Sequence, residues 1–419
     1  MSVGEPQITQ RAPARCDVAV VGAGIVGLAV ARELIVRHRR LRVCVLERER
    51  EVAAHQSSHN SGVIHAGIYY APGSLKARLC VEGARELYRY CEEHGIEFRR
   101  CGKLIVARDE RERAGLRELH RRGEANGVHG LRWLEGGEIA ALEPHARGVA
   151  ALHSPHTGVV DFGVVARALA REVSERGGEV VGGCEVSGVS AGAGAVHLHH
   201  RAGAVRAANA LFCAGAWSDR LARAAGAGRD PRIVPFRGRY LRVAHPRAEL
   251  VRALIYPVPD PRMPFLGVHL TRTLGGEVLL GPTAMPALAR DGYGAGAGAA
   301  RVRARDALDT LAWPGTWRMM RHWWRAGARE LAHSIWPGAL VREAAQYVPE
   351  LRIDDVRPAA LSGVRAQALA RDGRLLDDFA FSHTERALHV RNAPSPGATA
   401  ALAIARDLAD RAERLFELG

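Results

Sequence analysis

A glycine-spaced turn, Gly22-Ala23-Gly24-Ile25-Val26-Gly27, constrains this chain more than any other feature. The short apolar run Asp17–Val21 precedes it, and such an uninterrupted run suits a parallel strand buried on both faces. A helix-like stretch continues through Leu34, and a second apolar run covers Leu41–Leu46. Glu47 then follows the turn at about 20 residues, the spacing of a βαβ dinucleotide-binding unit. In such a unit Gly22 permits the tight turn, Gly24 lets the backbone approach a pyrophosphate, and Gly27 lets the helix lie close to the sheet. Ile25 and Val26 open the helix, whose first N–H groups suit an anion. Glu47 suits the ribose hydroxyls.

After Glu47 and Arg48 the chain does not return to alternating strand and helix, as a nicotinamide-dependent dehydrogenase usually would. It continues with His55-Gln56-Ser57-Ser58-His59-Asn60-Ser61-Gly62. The hydroxyls and amides of this stretch suit a second phosphate and a ring system. Ser57, His59, Asn60, Ser61 and Gly62 therefore join Arg48 as candidate cofactor contacts, and FAD is the predicted cofactor. Further along, Cys213-Ala214-Gly215-Ala216-Trp217-Ser218 resembles the second glycine-containing turn of glutathione-reductase-like FAD proteins. Ala214 and Gly215 are candidates there, as is Val186 before them. Near the far end, Asn392-Ala393-Pro394-Ser395-Pro396-Gly397-Ala398-Thr399 leads into an alanine-rich helix. If that helix points at the flavin, Ser395, Pro396, Gly397, Ala398 and Thr399 stabilise the charge of the reduced ring. The alternative is a plain helix start capped by Ser395 or Thr399.

Two further αβ passages, Val164–Glu175 into Glu179–Val181 and the run Ala210–Ala214, belong with the first. Residues 231–281, rich in Pro, aromatic and β-branched side chains, read as antiparallel sheet. The predicted fold is α/β: a glutathione-reductase-like FAD-binding Rossmann domain with an inserted α+β antiparallel-sheet substrate domain. Residues 16–100, 150–228 and 350–412 form the discontinuous FAD-binding domain, 101–149 and 229–349 the substrate domain, and 1–15 a flexible tail. Gly292–Ala299 is low-complexity and reads as a mobile surface loop.

The seven cysteines are scattered without a Cys-x-x-Cys pair, which argues against a metal cage or a disulfide scaffold and favours the cytoplasm. No metal is expected. The net charge of +14 would attract an anion, but arginine without interleaved aromatics does not suit nucleic acid. One segment, Trp313–Trp336, reads two ways. It is an amphipathic helix burying its aromatics against the sheet, or a basic aromatic helix at the inner face of a membrane.

Several further passages carry information, of which the His-rich segment and Tyr256–Asp260 are more specific than the glycine turn. The passages are His55-Gln56 with His59–Tyr70, Pro72–Ala77, Cys101–Leu104, Ile255–Pro261, Phe265–His269, Thr271-Arg272, Gly363–Gln367, Asp377–Phe379 and His389–Pro396. Through them the chain resembles the L-2-hydroxyglutarate oxidases and dehydrogenases of the D-amino-acid-oxidase-like FAD superfamily, from about Asp17 to Ala405. The resemblance implies a small dicarboxylate substrate oxidised at a CH–OH carbon, with quinone or oxygen as the electron acceptor. Such a substrate needs cations for its carboxylates and a base for its hydroxyl proton. A planar arginine fork binds a carboxylate at two points, which makes Arg365, Arg272 and Arg237 candidates; the resemblance puts Arg365 first, because related superfamily members place an arginine in a comparable segment. His65 and His269 are the candidate bases, and Tyr256 a candidate donor to substrate. A covalent bond from a nearby histidine to the flavin is left open. The family commonly carries Ser, Glu and Asn where this chain has Ala66, Arg239 and Thr283, so either of the last two, if it lines the pocket, bears on substrate choice. The competing readings are an FAD-dependent oxidase of amino acids or glycerol 3-phosphate and, further off, an RNA-modifying flavoprotein.

Overall fold

A computed structural model describes residues 5–192, 194–260, 263, 265–293 and 301–418. Within Gly292–Ala299, positions 294–299 lie outside the described residues. The first strand β1 (Arg15–Val21), helix α1 (Ile25–Arg37) and strand β2 (Val43–Leu46) occupy the places expected for them. Glu179–Val181, β2, β1, Gly203–Phe212 and Ala387–Asn392 lie side by side, all parallel. The completely buried runs Val43–Leu46 and Val18–Val21 are what a sheet covered on both faces requires. On one side α1, helix α2 (Leu75–Glu93) and the helices Phe162–Glu175 and Ala401–Phe416 share a single apolar core with the sheet. Arg37 fastens α1 to the last of these through Asp410 at 2.6 Å.

A second, largely antiparallel sheet is built around two long strands, Arg232–Val243 and Val356–Leu369, paired along most of their length. His269–Arg272, Val278–Gly281 and Leu254–Pro257 extend it, and Leu254–Pro257 runs parallel to Lys103–Ala107. The fold is thus the α/β FAD-binding layer with an antiparallel sheet above it.

Three expectations change. The N-terminal stretch is not loose throughout: Thr9 donates its N–H to Val180 and accepts from Gly182, both at 2.9 Å, so the sheet edge captures it. Neither Ser395 nor Thr399 caps the last helix, which starts at Ala401 with no side-chain cap at Ala400; Thr399 bonds elsewhere. The Trp313–Trp336 segment is two helices, Pro314–His322 and Trp324–Ile335, which bury only part of their aromatic face. Trp313 and Met319 are buried, whereas Trp317 is 57%, Trp324 62% and Ile335 73% exposed.

Candidate active site

The turns after the parallel strands open together onto one cavity of about 2360 Å³, at the carboxyl edge where α/β sheets bind ligands. At one end α1 begins from Gly24, where no side chain caps it. Ser57 Oγ accepts the Ile25 N–H at 2.9 Å, and the following amides of the first turn keep the cavity-facing polarity that suits phosphate. Buried Glu47 accepts N–H bonds from Ala23 at 2.7 Å and Glu49 at 3.0 Å. Burial raises its pKa against those two bonds. The polar stretch after β2 is shaped by its own side chains. Asn60 donates to the carbonyls of Gln56 and Ser57 and accepts from Gly62 N–H, while His59 Nδ1 donates to His55 O at 2.9 Å. Gln56 accepts the Ala366 N–H at 3.1 Å and so ties this loop to the upper sheet.

At the other end the far C-terminal turn meets the strand β3 (Val63–Ile64). Thr399 Oγ1 accepts the His65 N–H at 3.2 Å and donates to Val63 O at 3.3 Å. Ser395 Oγ lies 3.4 Å from His65 Nε2, and His65 Nδ1 is buried without a protein partner among the described residues. His269 donates Nδ1–H to Gly267 O at 2.8 Å, leaving Nε2 as an acceptor, and its ring stacks on Tyr256 at 4.0 Å. Arg365 lies over the Phe265 ring at 5.6 Å, and the Tyr240 hydroxyl meets both Arg365 and Ser61. Burial first, then the positive charge around it, pushes the His65 pKa well below its ordinary value. Burial likewise holds His269 at about 3. Both imidazoles are neutral at pH 7 and available to accept a proton.

The structure brings together most of the expected set. Gly22, Gly24, Ile25, Val26, Glu47, Arg48, Ser57, His59, Asn60, Ser61, Val186, Ala214, Gly215 and residues 395–399 line the cavity, as do His65, Tyr256, His269 and Arg365. Gly27 and Gly62 do not; they pack on the backbone of Gly22 and Val160. Arg272 does not reach it either. Successive strand residues face opposite sides, so with His269 turned to the cavity Arg272 turns away, donating to Val251 O at 2.7 Å and pairing with Glu249 at 3.3 Å. Arg237 also lies off the lining, and so do Arg239 and Thr283, which bond to each other. Sequence reasoning missed Tyr69, Tyr70, Lys76 and Tyr240 on the lining, and Lys103 directly behind it. An uncapped helix start, a glycine free of a Cβ at the approach, a buried carboxylate and orphaned polar atoms at His65 and Tyr69 fit FAD with a small polar substrate.

A model of the FAD dependent oxidoreductase family matches residues 17–411. L-2-hydroxyglutarate dehydrogenase, mitochondrial, of Nematostella vectensis is 46% identical over 96% of this chain and 91% of its own. L-2-hydroxyglutarate dehydrogenase of Escherichia coli (strain K12) is 39% identical over 96% and 94%. The solved structure of dithionite-reduced L-alpha-glycerophosphate oxidase from Mycoplasma pneumoniae with FAD bound superposes at a TM-score of 0.76. It shares 25% identity over 96% of this chain and 95% of that one. With a dinucleotide cavity of this build, a family match over nearly its whole length and relatives this similar, the chain belongs to the FAD dependent oxidoreductases, in the L-2-hydroxyglutarate dehydrogenase family.

Proposed function

We propose that this protein oxidises L-2-hydroxyglutarate to 2-oxoglutarate, with Arg365 binding one carboxylate and His65 taking the hydroxyl proton. The observation that carries the reading is the meeting of Arg365, Tyr240, Tyr256 and two neutral histidines at the end of the cavity lined by the cofactor turns. The turns at Gly22–Val26, Ser57–Ser61 and Ser395–Thr399 would hold FAD, which would supply the hydride acceptor for the substrate's C2 hydrogen. Arg365 is half-buried and has no carboxylate partner among the described residues, so its fork is available to an incoming anion. Tyr240 steadies that guanidinium from one side. His269 presents Nε2 as a hydrogen-bond acceptor, and His65, held by Thr399 and Ser395, receives the proton. Walls of Tyr69, Tyr70 and Tyr256 keep water from the reacting carbon. The test is anaerobic mixing with L-2-hydroxyglutarate, which bleaches the flavin absorbance. Bleaching by glycerol 3-phosphate or an amino acid in its place would move the assignment to another member of the superfamily.

The electrons leave to a quinone at a membrane surface. The exposed Trp317, Trp324 and Ile335 support this, because Arg318, Arg321 and Trp324 of the same helices also border the cavity. Exposed aromatics among arginines suit an anionic lipid surface. No helix among the described residues is long and apolar enough to cross a membrane, so the contact is peripheral. Oxygen as the sole acceptor is the opposing outcome, read as full turnover without quinone.

A further inference from the structure

Of the 59 lysines and arginines in the chain, only Lys76 and Lys103 are lysines, and they are 6% and 1% exposed beside the cavity. Where arginine serves as the cation almost everywhere else, a buried lysine marks a place for a compact charge that can also be lost. The two keep different company. Lys76 donates to the Asp377 carbonyl at 2.8 Å and to its carboxylate at 3.0 Å, so its charge is answered. Lys103 has no carboxylate within ion-pair distance among the described residues. Its ammonium lies over the ring faces of Tyr69 at 5.1 Å and Tyr256 at 4.4 Å.

The other titratable groups around Lys103 are Cys80 on α2, Cys101 just before its own strand, His65 beyond Tyr69 and His269 beyond Tyr256. None of these is an anion at neutral pH: burial raises the thiols and the Tyr256 hydroxyl and keeps both imidazoles uncharged. A buried charge among neutral groups is costly to hold. Tyr69 and Tyr256 also line the substrate cavity, where an anion is the compensation still missing.

We propose that Lys103 is a specificity-determining cation, acting through the Tyr69–Tyr256 wall to favour a substrate that carries a second carboxylate. The proposal rests on the dicarboxylate reading above. Arg365 meets one carboxylate directly, and Lys103 supplies the potential that a singly charged 2-hydroxy acid does not need. Burial lowers the Lys103 pKa to about 8, so the potential is present below that pH and fades above it.

The test compares kcat/KM for L-2-hydroxyglutarate with that for L-2-hydroxypentanoate, which has a methyl in place of the second carboxylate. In the FAD-loaded native enzyme the preference for the dicarboxylate falls as pH rises through about 8. Lys103→Met, with its flavin spectrum intact, lowers the preference roughly tenfold at pH 7, the order expected when one partly shielded charge is removed, and abolishes its pH dependence. A native enzyme that oxidises L-2-hydroxyglutarate with a preference constant across pH 8 overturns the role of Lys103 alone, even if the variant fails to fold. An unchanged preference in a folded Lys103→Met protein does the same. A native flavin that L-2-hydroxyglutarate does not reduce removes the dicarboxylate reading, and this inference with it.

Discussion

Alanine at Gly24 and alanine at Gly27 separate two duties within one turn. Gly24 has φ −74° and ψ 170°, a conformation open to any residue. A Cβ there meets only the Ser57 hydroxyl, at 3.3 Å. The FAD-free Gly24→Ala protein therefore loses less than about 1 kcal/mol. Its methyl does stand where the backbone approaches the pyrophosphate, so FAD affinity falls by about two orders of magnitude, or about 2.7 kcal/mol. At Gly27 a Cβ would sit 1.9 Å from the Gly22 carbonyl oxygen and 3.3 Å from the Cys213 Cβ. Helix α1 must then back away from the turn, although Leu28 and Leu34 lock it completely buried into the core. That places the cost at or above the top of the range of about 1–3 kcal/mol for overpacking, with or without cofactor. Melting temperatures of the apo- and FAD-loaded proteins, with FAD affinity from quenching of flavin fluorescence, read both effects. Gly24→Ala melts near the native apoprotein but loses most of the rise that FAD confers; Gly27→Ala melts low in both states. Equal apoprotein melting temperatures for the two variants, or native FAD affinity in Gly24→Ala, would refute the division.

Arg365→Lys keeps a charge but loses the fork, so the substrate concentration that half-saturates flavin reduction rises about tenfold or more; Arg272→Ala, directed away from the cavity, leaves it within about twofold. His65→Ala slows the limiting rate of flavin reduction by about 10² or more with FAD still bound, and an unchanged rate would move the base elsewhere. Because burial lowers the His65 pKa, the base is already deprotonated at its ordinary value near 6.5. The native limiting rate is accordingly flat as pH falls from 8 to 6 and declines only below; a decline centred near 6.5 would contradict the burial argument. Trp317→Ser with Trp324→Ser weakens binding to anionic vesicles, and added salt weakens the native binding. No vesicle binding by the native protein at low salt would remove the membrane surface.

What could be read from the sequence was whatever depends on neighbours along the chain. The glycine turn, its flanking apolar runs and Glu47 stand within one βαβ unit, so their spacing alone specifies their geometry. His65 and His269 were legible for another reason: each sits in a family-specific run. Arg272 shows the limit, because adjacency to a functional strand says nothing until the side facing the cavity is known. Thr399 could be read as a cap, yet its hydroxyl serves the backbone around His65, on the far side of the chain. The burial of Trp313 beside an exposed Trp317 depends on the sheet they meet, which no helical periodicity contains. Lys103 did leave a trace in the rarity of lysine, but its company of tyrosines and histidines exists only after folding.

The strand Ala387–Asn392 lies against Gly203–Phe212, which also pairs with β1, a strand made far earlier in the chain. The turn that follows it holds His65 in place and closes the flavin end of the cavity. During synthesis the glycine turn therefore lacks the other half of its binding site until Ala387–Asn392 and the turn after it have been made. Such pairing between distant parts of a chain is slow to form and leaves strand edges open in the meantime. FAD capture accordingly waits for that later segment, and the flavin on hand when it emerges helps decide how many new molecules are held in the native state.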